Sequence, residues 1–132
     1  WGEFFEQREC DCLFCGQLDS RIVAENELAY VIRDAFPVTA GHTLVIPKRH
    51  VKDYFGLEQP ELNAINQLLD EQKQTLEAED SAIDGFNIGM NCGESAGQTV
   101  FHCHIHLIPR RTGDMEKPRG GVRHVIPSKG SY

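Results

Sequence analysis

Thr99-Val100-Phe101-His102-Cys103-His104-Ile105-His106-Leu107-Ile108-Pro109-Arg110 alternates histidine with apolar residues through its middle. Side chains of a strand alternate between faces, so the pattern predicts a strand with His102, His104 and His106 on one side and Phe101, Cys103, Ile105 and Leu107 on the other. The second set reads as core. At about 3.3 Å of rise per residue, His102 and His106 stand roughly 13 Å apart. Three rings so spread cannot converge on one metal ion, and their roles must differ.

Working outward, the loop Cys92-Gly93-Glu94-Ser95-Ala96-Gly97 leads into this strand from another, Gly85 to Asn91. A glycine-containing loop turns tightly and offers backbone N–H groups to an anion. Between Pro60 and Glu79, Leu62, Ile65, Leu68, Leu69 and Leu76 recur at helical spacing and predict one long helix. Thr43-Leu44-Val45-Ile46 is a short apolar strand stopped by Pro47 and bracketed by His42 and His50. Ile22–Glu25 and Leu28–Ile32 around Asn26-Glu27 read as a β-hairpin. Cys12 and Cys15 share one side of a short N-terminal turn or helix that buries Leu13 and Phe14. Residues 1–9 read as an arm and 111–132 as an irregular tail. Without regular βαβ alternation, a Gly-x-Gly-x-x-Gly or a phosphate loop, the expectation is a single α+β domain over residues 1–132. Its antiparallel sheet should have about five strands, with one long helix.

A chain of 132 residues can bury a core without disulfides. No window approaches the ~18 uninterrupted apolar residues of a membrane span, and no basic-then-apolar leader opens the sequence, so no membrane partner is expected and a cytoplasmic address is. Five cysteines, two in Cys-x-x-Cys spacing, suit a metal half-site or redox pair in a reducing compartment better than a disulfide framework. Cys10 and Cys103 read as bystanders. The net charge of −7 argues against nucleic acid as a partner. Arg110, Arg111, Lys117, Arg119, Arg123 and Lys129 make the C-terminal end locally basic, as a small anionic ligand would favour.

Neutral imidazole is a nucleophile and proton carrier near pH 7, so histidines beside an anion-binding loop point to attack on phosphorus. Gln98 and Thr99 add an amide and a hydroxyl for phosphoryl oxygens. No stronger base stands close by, which leaves histidine itself as the nucleophile.

Gly97 to Arg110, with its His-x-His-x-His core, closely resembles the signature of the histidine triad (HIT) family, and Gly41-His42-Thr43-Leu44-Val45-Ile46-Pro47-Lys48-Arg49-His50 resembles its second block. The likeness runs from about Cys12 to Arg110. It implies a HIT-like fold and a dimeric nucleotidyl hydrolase or transferase whose central histidine attacks the α-phosphorus of a purine nucleotide. A covalent histidine–nucleotide intermediate would then be released by water. On this resemblance His104 is the nucleophile, and His106 orders and charges the site through hydrogen bonds. His42, Asn91, Gly97, Gln98 and Thr99 surround the phosphates, and Asp34 meets the ribose. Phe14, Ile32 or Leu44 would line the base slot. Thr99 and the Pro109-Arg110 ending resemble the dinucleoside polyphosphate hydrolases more than the adenosine phosphoramidases.

Zinc-bearing members also resemble this chain at Cys12, Cys15, His50 and His102, which implies a closed, structural Cys2His2 zinc site and no organic cofactor. Two rival readings are a metallohydrolase using His102 and His104 as paired ligands, and a nucleotide-binding scaffold without turnover. An open sheet edge, together with the resemblance, leads to the expectation of a homodimer.

Overall fold

The chain was analysed as a computed structural model that describes residues 12–16 and 19–132. The N-terminal arm and Cys10 lie outside them. β1 (Ile22–Glu25) and β2 (Ala29–Arg33) form the hairpin. Its turn is longer than two residues, because the Asn26 side chain accepts from the N–H groups of Leu28 and Ala29 and so occupies the chain through Leu28. β3 (Thr43–Pro47) lies beside β2, β4 is Ile83–Gly89 and β5 is Ile105–Arg111. They make one antiparallel sheet in the order β1-β2-β3-β5-β4. The architecture is the α+β arrangement expected of the sequence.

Strand parity sorts the core into two layers. Ala29, Val31, Val45, Cys103 and Ile105 face α2 (Gln59–Glu79), whose Ile65 and Leu68 complete the cluster. On the other face Tyr30, Ile32, Leu44 and Ile46 meet Phe14 of α1 (Leu13–Gly16). β2 and β3 are therefore apolar almost throughout, since both of their faces are covered. The buried stripe of α2 includes Glu61 and Gln72. Glu61 receives Arg49 through both carboxylate oxygens at 2.7 and 3.0 Å, and Gln72 accepts from Arg33 at 2.7 Å.

Three local expectations change. The histidine strand is shorter at its start: β5 begins at Ile105, and Val100 to His104 precede the ladder. Without that register, Phe101 lies 41% exposed under the Lys52 ammonium rather than in the core. Pro47 is the last residue of β3, as expected, but β5 runs on through Pro109 to Arg111, the first residue assigned to the tail, and β3 and β5 pair with each other only over Thr43–Val45 and Ile105–Leu107. Neither proline has to donate between β3 and β5. Finally, Gly121–Val125 and Pro127–Lys129 of the tail form short 3-10 helices. Among the described residues, no helix is long and apolar enough to cross a membrane.

Candidate active site

Backbone partners fix which nitrogen of each histidine carries its proton. Pro47 C=O lies 2.7 Å from His102 Nε2, and a carbonyl can only accept. His102 therefore donates from Nε2 and turns the lone pair of Nδ1 toward Cys12 Sγ at 3.3 Å and Cys15 Sγ at 3.5 Å. His104 donates from Nδ1 to the carbonyl of His102 at 2.8 Å, which leaves its Nε2 as a lone-pair nitrogen. The Val38 N–H donates to His42 Nδ1 at 3.1 Å, so His42 carries its proton on Nε2 and gives it to His106 Nδ1 at 2.8 Å. His106 in turn keeps an Nε2–H donor. The three histidines of the motif thus hold three different jobs, as their spacing along the chain requires.

His104 and His106 line a cavity of about 330 Å³ on the face opposite α2. Asp34, Asn91, Gly97 and Thr99 share its walls, with Phe14, Ile32 and Leu44 as apolar lining. Six of the residues expected at the nucleotide are therefore together. Two others are close but differently used. His42 stands behind the wall, against His106 and Asp34, and the Gln98 side chain is consumed within its own loop. Its amide donates to the carbonyls of Lys52 and Val100 and accepts from Gly93 N–H, and the residue is 3% exposed. Gln98 is thus a strut and not a phosphate ligand. The loop's N–H groups at Ala96, Gly97 and Gln98 also bond internally, to Gly93 and Glu94 carbonyls, so they do not form the anion cradle expected of them. Gly97, at φ +95°, closes this turn in a conformation that other residues rarely adopt. Sequence reading missed Arg21, the one lysine or arginine among the described lining residues. Arg21 donates to the Arg33 carbonyl at 2.7 Å, and no local pattern could have signalled that position.

Burial pushes His106 down to about 4, with His104 and His42 adding to the effect and Asp34 opposing it. His42 is lowered too, mainly by burial and against the pull of Asp34, whose Oδ2 lies 3.4 Å away. Both rings are neutral at pH 7. His106 thus enters the site as a neutral donor held by the His42 Nε2–H, with the Asp34 carboxylate beside that same nitrogen. Unfolded histidine takes up its proton near pH 6.5, whereas folded His106 does so only near 4. The unfolded chain therefore binds more protons between these values. This part of the stability is complete above about 6.5 and is lost as the pH falls toward 4, by at most about 1.4 kcal/mol per unit for each such histidine. Urea midpoints should drop between pH 7 and 5, and less steeply in His106→Asn. An identical slope in that variant would mean the ring is not buried neutral.

A second group lies at the same end of the molecule. Cys12 Sγ, Cys15 Sγ, His50 Nδ1 and His102 Nδ1 come together, with Cys15 Sγ 3.2 Å from His50 and all ligand atoms within 4.8 Å. A tetrahedral zinc site with bonds of 2.0–2.3 Å sets sulfur and nitrogen roughly 3.5 Å apart. The four residues therefore fit one ion, and the His102 ring is already aimed by its carbonyl partner. Cys103 is not part of it: the thiol is buried against α2, and burial pushes it up to about 12.

Residues 15–113 match the model of the HIT domain. An uncharacterized HIT-like protein of Mycoplasma pneumoniae is 40% identical over 76% of this chain and 72% of its own length. The adenylylsulfatase HINT3 of Arabidopsis thaliana is 34% identical over 79% of this chain and 54% of its own. Among solved structures, a Zn-bound histidine triad protein from Mycobacterium smegmatis superposes with a TM-score of 0.72 at 34% identity, covering 81% of this chain and 80% of its own. A hypothetical histidine triad nucleotide-binding protein from Sulfolobus tokodaii gives 0.71 at 36%, over 78% and 71%. With the family's domain spanning three quarters of its length and its three motif histidines each fixed by a different hydrogen-bond partner, this chain belongs to the histidine triad family.

Proposed function

We propose that the protein cleaves a purine nucleotide at its α-phosphorus, with His104 Nε2 as the nucleophile and a histidine–nucleotide intermediate. The observation that carries this reading is the His104 Nδ1–H bond to the His102 carbonyl, which leaves the other nitrogen as a lone pair at the wall of the cavity. The P–N bond forms as the bond to the leaving group breaks, and the leaving group departs with the electron pair. Water then attacks the phosphorus and returns the electron pair to His104. The neutral His106 donor serves the oxygens on phosphorus, while Asp34 serves the ribose. Rapid quench with labelled nucleotide should trap an adduct on His104. A nucleotide-binding scaffold would show binding and no adduct.

Dinucleoside polyphosphate is one candidate substrate, and phosphoramidate another. A second cavity of about 640 Å³ shares Asn91 and His106 with the first and is walled by Val38, Ile88, Ile108, Val122 and Val125, with no lysine or arginine in its lining. Arg110 is engaged by Asp114 at 2.7 and 2.8 Å and by Asn87 at 2.7 Å, and so is not free to meet a polyphosphate. These features favour an uncharged leaving group, and kcat/KM on adenosine phosphoramidates should exceed that on adenosine tetraphosphate dimers.

The Cys12, Cys15, His50 and His102 set would hold one structural zinc ion per chain, with no open position for a reacting water. Metal analysis should find one equivalent, and Cys12→Ser should lose most of it. Protein purified without chelator that contains none would refute the assignment. Dimerisation is proposed through β4, one of the two edges of the sheet, where Ile88 is 52% exposed beside Val122 and Val125. Light scattering at micromolar concentration should give twice the chain mass.

A further inference from the structure

Four consecutive residues serve two sites. Cys12 and Cys15 send their sulfurs to His50 and His102, whereas Leu13 and Phe14, between them, line the cavity that holds His104. The Phe14 ring is 6% exposed, meets the His104 ring edge-on at 5.1 Å between centroids, and stands 6.1 Å from that of His102. The wall nearest the nucleophile is thus the inside of the cysteine turn.

That turn cannot hold itself in place. α1 is four residues long, a single turn, and a helix of that length has no independent stability in water. Its position comes from tertiary anchors: the burial of Phe14, the Tyr30 hydroxyl donating to the Phe14 carbonyl, and the two sulfurs against histidine rings. An ion bound by Cys12 and Cys15 would replace weak thiol–imidazole contacts with metal–ligand bonds. His50 follows β3 and His102 precedes β5, so the turn would be tied to both strands that frame the cavity. His102 adds a second connection, because its ring faces the cysteines while its carbonyl holds the proton of His104.

We propose that metal and nucleotide bind cooperatively, because the Cys12–Cys15 turn is at once half of the metal site and a wall of the nucleotide cavity, with Phe14 as the positioning residue between them. The inference rests on the nucleotide reading above. Linkage makes it reciprocal: whatever factor zinc adds to nucleotide affinity, nucleotide adds to zinc affinity. A metal that only fastened the N-terminal segment would give a factor of one.

The test measures two affinities on the full chain. Zinc affinity is read by competition with a chromophoric chelator, with and without saturating AMP, and AMP affinity is read by calorimetry on metal-free and zinc-loaded protein. Both should tighten by the same factor, on the order of tenfold. Phe14→Ala keeps all four metal ligands, so it should still load one zinc while the factor falls toward one. Leu13→Ala, at a residue 53% exposed and therefore of little consequence for folding, should lower it partially. Should the metal-free chain prove unfolded by circular dichroism, cobalt-loaded protein decides: a visible spectrum that AMP shifts in the wild type and not in Phe14→Ala supports the coupling, and a wild-type spectrum unmoved by saturating AMP overturns it. Equal AMP affinity with and without zinc in the wild type overturns the coupling and leaves the nucleotide reading standing. Failure of AMP to bind either form removes both.

Discussion

His104→Asn should lower turnover on the order of 10⁴-fold while nucleotide affinity stays within a few-fold, because asparagine keeps the polarity and rough size of the ring but lacks the attacking nitrogen. Loss on that scale, with binding intact, identifies an interaction made only on the way to the transition state. The neighbours set the comparison. His106→Asn removes a donor and the ring held by His42, and should cost about 10²-fold. His102→Asn removes a metal ligand and a ring bonded to Pro47, so stability and zinc content should fall more than the rate per folded molecule. Single-turnover kinetics on the three variants, with affinities beside them, test the order. Near wild-type hydrolysis by His104→Asn would end the covalent route.

The largest stability effect should come from Glu61→Ala. Glu61 is 1% exposed, receives Arg49 at both oxygens, and accepts the Glu58 N–H at 2.8 Å at the start of α2. Removing it strips a partner from a guanidinium that is itself only 13% exposed, and also the cap of the long helix. Breaking a buried pair from one side costs about 3–5 kcal/mol, on the order of 10 °C in Tm for a chain of this size. The desolvation cost of both charges is removed when both partners go, so Glu61→Leu with Arg49→Met should regain part of the loss. A single-variant shift of only a degree or two would show that solvent reaches the pair.

Most of the fold is legible because it rests on periodicity. Leu62 to Leu76 marked the helix, and the apolar run at Thr43–Ile46 and the alternation at Gly85–Asn91 marked strands, whereas the sheet order, with β5 inserted between β3 and β4, carried no local signal. Glu61 and Gln72 were not legible, since only contacts from Arg49 and Arg33, distant in sequence, turn a polar helix position into a buried one. The candidate site divides in the same way. The histidines, Asp34, Asn91 and Thr99 could be named from motif residues, and the structure gathers them. The uses of Gln98 and of the loop amides could not, because whether a polar group faces a ligand or its own loop depends on the closure of a turn at Gly93 and Gly97. Arg21 enters the cavity from the hairpin's approach, far from any motif.

The uneven flanking of β5 has a dynamic consequence. Ile105 to Leu107 lie between β3 and β4 or beside β3, but beyond Leu107 the pairing continues with β4 alone, from Ile108↔Asn87 to Arg111↔Ile83. That far end is a two-stranded ribbon, and opening it breaks one ladder rather than two. Its amides should exchange with solvent by local fluctuation, while those of Val45, Ile105 and Leu107 wait for global unfolding. The reactive histidines sit at the slow end, so the ribbon can breathe without carrying His104 and His106 out of register.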